Sequence, residues 1–324
     1  MTDMRLYSKW LAGNLVIYGG DTMLSGNGTE FFVDPANGDD THDGLSWDSA
    51  LASVAAAYAL TTDGANDKVI LLGGATGDTL AETLTWSNSY THLIGVCAPT
   101  RVAKRARIHN ETVTGETPLL NITGSGCLFK DFYIFQGVDE AVANINVQVT
   151  GGRNYFENVH FAGGGHASQA INGGASLLLI GDSCEENTFA NCTIGVDTIS
   201  AGTGMVGLLM DTTTHRNIFE HCHFSMFAGH TGCAWVEVAD GTGFDRYTVF
   251  DNCLFTNTND ALFTMASGFL LPVLPASRPA RLILKDCMSF GATTWDASDR
   301  GILYGNMDAI TGADLSGAAV ELIS

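Results

Sequence analysis

The sequence predicts an all-β solenoid, a single elongated domain in which short strands stack coil upon coil along one axis. Three observations carry this prediction. A phrase of the form F-x-[N/D]-C-x-F returns six times with drift: Phe129 to Ile134 (FKDFYI), Phe156 to Phe161 (FENVHF), Phe189 to Ile194 (FANCTI), Phe219 to Phe224 (FEHCHF), Phe250 to Phe255 (FDNCLF) and the worn copy Leu284 to Met288 (LKDCM). Measured at the fourth position, the copies lie 27, 33, 30, 31 and 34 residues apart, which suits one turn of a solenoid. A second apolar segment precedes each copy and no helix intervenes, so each period holds about three short strands.

Within a phrase the side-chain alternation skips a beat. Phe189 and Asn191 are two apart, as are Cys192 and Ile194, yet Asn191 and Cys192 are adjacent. One flat strand cannot hold that pattern, so a bend sits between two strands. Asn or Asp suits the bend because a short polar side chain tolerates left-handed backbone.

Taken in chain order, residues 1–28 form an arm with Tyr7, Trp10, Leu11, Leu15, Val16, Ile17 and Tyr18, too apolar for a free tail. Two readings fit it: a strand folded back on the first coil, or an arm that docks on another subunit or protein. Residues 29–66 hold an entry strand and a helix over Ser49 to Leu60, capped by Asp48 or Ser49 and apolar enough to be buried. Residues 67–300 are the coils. Val69 to Leu72 and His92 to Val96 read as strands of the first ones. The strands that precede the phrases are Leu119 to Ile122, Ile145 to Val149, Leu177 to Ile180, Val206 to Met210, Ala234 to Val238 and Ala261 to Met265. After Met265 the distance to the next phrase grows to 19 residues from seven in the early coils. That insertion carries Phe269, Leu270, Leu271, Val273 and Leu274 among three prolines, so an apolar loop outside the sheet is expected to meet a neighbour. Residues 301–324 show strands at Ile302 to Tyr304 and Val320 to Ile323 without a polar plug, an end that a subunit contact or a looser terminal fold is expected to cover.

A chain that repeats strand, turn, strand, bend, strand at this period resembles the right-handed parallel β-helices of the pectin-lyase-like superfamily. The segment Phe31 to Trp47, followed by an Ala-rich run, resembles the entry of many such proteins, where a helix plugs the first coil. The resemblance implies a single-stranded right-handed parallel β-helix with an N-terminal capping helix and an asparagine ladder at the bend. Asp131, Asn158, Asn191, Asn252 and Asp286 match that ladder, and His221 departs from it. It is specific for fold and poor for function.

One growing core needs no second domain. At about 4.8 Å per strand, eight or nine coils give a rod on the order of 40 Å long. Of the eight cysteines, Cys192, Cys222, Cys253 and Cys287 share one inward repeat position, where thiols act as small hydrophobes; no zinc spacing appears. Fifteen Lys plus Arg against 35 Asp plus Glu leave a formal charge of −20, which argues against nucleic acid and anionic membrane as partners. Four of the basic residues crowd into Arg101, Lys104, Arg105 and Arg107, either balancing nearby carboxylates or forming a contact for an acidic partner.

Enzymes of the superfamily act on the outer face of the central coils, with paired carboxylates or with a basic residue and calcium-bound carboxylates. The outward carboxylates here are Glu157, Glu220 and Asp251, and Ala190 interrupts them. His160, His223, His221, His166 and His230 write a metal hypothesis, but His221 and His223 point apart. Asp39, Asp40 and Asp43 mimic a calcium loop without its closing Glu. No metal or cofactor is therefore expected. The reading is a non-enzymatic virion protein of a tailed bacteriophage, a trimeric decoration or spike bound to capsid or tail proteins. Its contacts would be Tyr7, Trp10, the insertion, Arg101, Lys104 and Arg105, with a host-surface glycan as a further partner. The polar start Met1 to Arg5, the absence of a long apolar span and the core thiols fit folding in the host cytoplasm. The rivals are a tailspike depolymerase or lyase and a bacterial surface adhesin.

Overall fold

The computed structural model describes residues 28–111, 116–171, 173–239, 243–272 and 281–296, and the backbone of strands Tyr7–Leu11, Asn14–Tyr18 and Ile302–Tyr304. The predicted strand Val320 to Ile323 and the contact residues Val273 and Leu274 lie outside them.

Among the described residues, eight coils give one strand to each of three parallel sheets, and Glu30–Val33 and Ile302–Tyr304 add a strand at either end of the front sheet, which thus has ten strands against eight in the other two. The first half of the phrase feeds the front sheet and the second half the middle sheet. Phe129, Phe156, Phe189, Phe219 and Phe250 are in register across the front sheet, and Ile134, Phe161, Ile194, Phe224 and Phe255 across the middle one. The preceding strands, such as Ile145–Val149 and Ala234–Val238, build the back sheet.

The skipped beat is a left-handed residue. Asp131, Asn158, Asn191, Asn252 and Asp286 have φ of 58°, 50°, 54°, 53° and 51°, and His221 takes the same conformation at 55°. The bend turns both flanking apolar residues inward. Inside, the five leading phenylalanines form one stack, with centroids 4.9, 4.5, 4.6 and 5.0 Å apart and ring planes within 10° of parallel.

A second ladder closes the turn into the front sheet. Asn154, Asn187 and Asn217 are buried; Asn187 Oδ1 accepts from Asn154 N at 3.0 Å and Asn217 Oδ1 from Asn187 N at 3.0 Å. These side chains take up main-chain groups that the turn leaves without strand partners.

Three expectations need correction. The arm holds two strands rather than one, an antiparallel hairpin with Tyr7 opposite Tyr18 and Trp10 opposite Leu15. Of the expected helix over residues 49–60, Val54–Ala59 is α-helical, with Ser53 as N-cap and Val54 and Ala57 buried against the first coils. The back-sheet strand ahead of the last phrase is Met265–Leu270, not Ala261 to Met265, and Ala292–Asp296 pairs with it on the far side. Phe269 is therefore fully buried in the core and Leu271 packs against it, while Leu270 is a half-buried outward residue. Pro272, rather than Gly268, marks where pairing stops. Gly268 is needed in the strand because a Cβ there would lie 2.4 Å from the Trp235 ring.

Candidate functional site

The front sheet presents a charged outward row, in register coil by coil: Lys130, Glu157, Ala190, Glu220, Asp251 and Lys285. Strands about 4.8 Å apart make neighbours in the row neighbours in space. The charges pair from both ends. Lys130 Nζ lies 2.9 Å from Glu157 Oε1, and Lys285 Nζ lies 3.0 and 2.7 Å from Asp251 Oδ1 and Oδ2. Glu220 stands between the two pairs, one coil from Asp251 and two from Glu157. Tyr155 lies in the adjacent row, and burial together with the charges of Glu157 and Glu220 pushes its phenol up.

Beside this row runs a strap, residues 97–106, between strands His92–Val96 and Arg107–Asn110. It climbs the bend across successive coils. Cys97 Sγ donates to Asp131 O at 3.4 Å, Ala103 N to His160 Nδ1 at 3.2 Å, and Thr193 Oγ1 to Arg101 O at 3.0 Å. Arg101 then reaches His221 O at 3.3 Å. Lys104 folds underneath, 1% exposed, its ammonium donating to Arg101 O at 3.2 Å, and burial lowers it to about 8. Strap and row enclose an open recess of about 480 Å³ lined by Pro99, Arg101, Lys130, Asp131, Glu157, Asn158 and Asn191. A guanidinium, amides and carboxylates on one wall are the groups that bind hydroxyls and carboxylates of a polar ligand.

In solved structures, the chain is similar to a rhamnogalacturonan lyase, with a TM-score of 0.61 and 14% identity over 86% of this chain and 73% of that one. It is also similar to the pectate lyase Pel9A, with a TM-score of 0.53 and 17% identity over 87% and 69%. The fold is the right-handed parallel β-helix. A looser likeness, TM-score 0.45 and 12% identity, covers 92% of this β-helix and 66% of the Geobacillus virus E2 protein ORF18. No family model and no curated protein matches the β-helix by sequence.

The β-helix brings Glu157, Glu220 and Asp251 to one face, and Ala190 does interrupt them. Of the basic cluster, Arg101 and Arg105 are exposed, whereas Lys104 is buried under the strap with its ammonium on Arg101 O. The histidines do not converge. Thr193 separates His160 from His223, and His160 is buried with Nε2 against Gly195 O at 2.9 Å, a burial that lowers it to about 4. His166 caps a short helix beside Asp139. The Asp39, Asp40 and Asp43 carboxylates are taken by entry-loop donors: Asp39 by Thr41 N, Asp40 by Ala52 N and Ser53 N, Asp43 by Leu45 N.

Sequence reasoning missed the strap and the buried asparagine ladder. The ladder's signal is an Asn two residues ahead of the leading Phe, in Asn154/Phe156, Asn187/Phe189 and Asn217/Phe219. The strap's signal is the ten residues with three cations and a proline that separate two early strands.

Proposed function

We propose that this β-helix is a non-enzymatic virion protein of a tailed bacteriophage that holds a host-surface glycan in the recess beside the strap. The observation that carries the non-enzymatic part is the pairing of Lys130 with Glu157 and of Lys285 with Asp251. Glycoside hydrolysis needs one carboxyl that keeps its proton and a second that acts as base or nucleophile. In each pair a lysine ammonium occupies carboxylate oxygen that would otherwise face a glycosidic bond or a water. Arg101, Asn158 and Asn191 offer fixed donors to sugar hydroxyls or carboxylates. The reading further takes the arm carrying Tyr7 and Trp10, with Leu270 and Arg105, as contacts to particle proteins, three copies as the assembled unit, and the helix Val54–Ala59 as the cap of the first coil.

One experiment tests the reading: host capsular and lipopolysaccharide fractions are added to the purified protein, following binding by calorimetry and new reducing or unsaturated ends by colorimetry and absorbance. Binding without new ends, weakened at least tenfold by Arg101→Ala, is expected, together with labelling of purified particles by antibody to the protein. New ends that vanish in Glu220→Gln would establish the depolymerase instead, a reading favoured by the lone position of Glu220 one coil from Asp251.

A further inference from the structure

Cys192, Cys222, Cys253 and Cys287 occupy one place in four successive coils, each a residue before the paired positions Thr193, His223, Leu254 and Met288. All are free thiols; the first three are 0%, 0% and 2% exposed, and Cys287, towards the carboxyl-terminal end of the stack, is half-buried. Their side chains share one orientation. Each Sγ donates to the carbonyl of the leading Phe one coil earlier: Cys192 to Phe156 at 3.5 Å, Cys222 to Phe189 at 3.2 Å, Cys253 to Phe219 at 3.4 Å and Cys287 to Phe250 at 3.3 Å. Side chains in one orientation on stacked strands repeat at the strand spacing, so the sulfurs follow one another at about 4.7 Å. Each inner thiol has the thiols above and below within reach.

That spacing is itself a coordination geometry. A thiolate–metal bond is about 2.3 Å, so two in line span about 4.6 Å, the distance between adjacent coils. No three metal-ligating side chains converge on one point among the described residues, so the tetrahedral site of structural zinc is not built here. Thiolates without oxygen ligands select soft ions. The surrounding core of phenylalanines rejects net charge, and only a divalent ion is neutralised by two thiolates. We propose that the thiol column binds a soft, thiophilic divalent cation in linear two-coordination, one ion between Cys192 and Cys222 and a second between Cys253 and Cys287. Each ion replaces two S–H protons: with mercuric chloride, HgCl2 and two R–SH give RS–Hg–SR, two protons and two chlorides. No group is oxidised or reduced. The half-buried Cys287 marks the end from which the ions enter.

The test titrates the full chain with mercuric chloride, recording thiolate-to-metal charge-transfer absorbance, protons released in a pH-stat and far-ultraviolet circular dichroism. The control is Cys222→Val/Cys253→Val, because Val159 already fills this repeat position, fully buried, one coil earlier. The wild type is expected to take up two ions that release two protons each, with its β signal kept and its thermal midpoint raised. The double variant is expected to lose both. The single variant Cys222→Val keeps the Cys253–Cys287 pair and is expected to bind one such ion, which decides the matter should the double variant not fold. Release of one proton per ion, equal uptake by the variants, or loss of the β signal on binding would overturn the proposal.

Discussion

Arg101 and His221 are 120 residues apart in sequence, yet the guanidinium of one donates to the main-chain carbonyl of the other at 3.3 Å. The strap that carries Arg101 is thus fastened to coils formed much later in the chain. Main-chain bonds from Gly74 N to Arg105 O and from Tyr133 N to Ala106 O hold its carboxyl end, and residues 97–103 are tied to the coils by a few bonds that involve side chains.

The hydroxyl of Thr193 supplies one of them, to Arg101 O. Thr193→Val keeps the volume and removes the donor, at a cost of about 1 kcal/mol. Amide exchange in residues 101–104 is expected to quicken roughly fivefold, with global stability lowered by no more than that amount. Unchanged exchange would show that the strap is held by other means.

Phe189 sits at the centre of the ring stack, 4.5 Å from Phe156 and 4.6 Å from Phe219. It touches rings above and below, so truncation leaves a void that neither neighbour can fill without leaving its own coil. Phe189→Ala is expected to lower the unfolding free energy by about 3–5 kcal/mol. Phe189→Leu, which retains most of the volume, should cost less. Urea titration of the two variants distinguishes a packed stack from a loosely filled lumen, for which both losses would be small.

The repeat phrase made the fold legible because a solenoid repeats its physics. A left-handed bend and two inward apolar residues must recur in every coil, and Asn191-Cys192 displays both in the sequence. The site was less legible because it is assembled across coils. That Lys130 pairs with Glu157, or that Ala103 meets His160, depends on register and on the path of one irregular segment, neither of which has a period. The insertion misled for a related reason. Pro272 correctly signalled an end to pairing, but Phe269 lies on the paired side of it and fills the core.

Asn187 tests the buried ladder. Its Nδ2 donates to Gly151 O at 3.1 Å and its Oδ1 accepts from Asn154 N, with no water-exposed surface at the residue. Asn187→Ala leaves a buried donor and a buried acceptor unpaired, each costing roughly 1–3 kcal/mol. A loss of about 2–5 kcal/mol in chemical unfolding is expected, comparable with the loss of a core ring. A loss below 1 kcal/mol would mean that water replaces the amide and that the ladder is dispensable.

Asp78 gives the fold a pH dependence of identifiable sign. It is 4% exposed, and its Oδ2 accepts from Val54 N at 2.9 Å at the start of the helix. Burial pushes its carboxyl up from 3.8 to about 6; the charge of Asp40 adds to the rise and the Val54 bond opposes it. The folded chain therefore holds this proton more tightly than the unfolded chain does. Its stabilising contribution is complete below about pH 4 and is lost as pH rises through about 6, a change of about 3 kcal/mol at 1.36 kcal/mol for each tenfold change in proton affinity. Asp34, Asp39 and Asp43 act in the opposite sense. Their carboxyls are lowered chiefly by the hydrogen bonds from Asn37, Thr41 N and Leu45 N, so their contributions are lost as pH falls. The wild-type curve alone mixes both effects, and Asp78→Asn separates them. An amide stays neutral, and its oxygen still accepts from Val54 N. Between pH 4 and pH 7, the stability of the variant relative to wild type is expected to rise by about 3 kcal/mol in denaturant titrations. A difference that stays flat with pH would show that Asp78 is hydrated and ionises as an ordinary carboxylate.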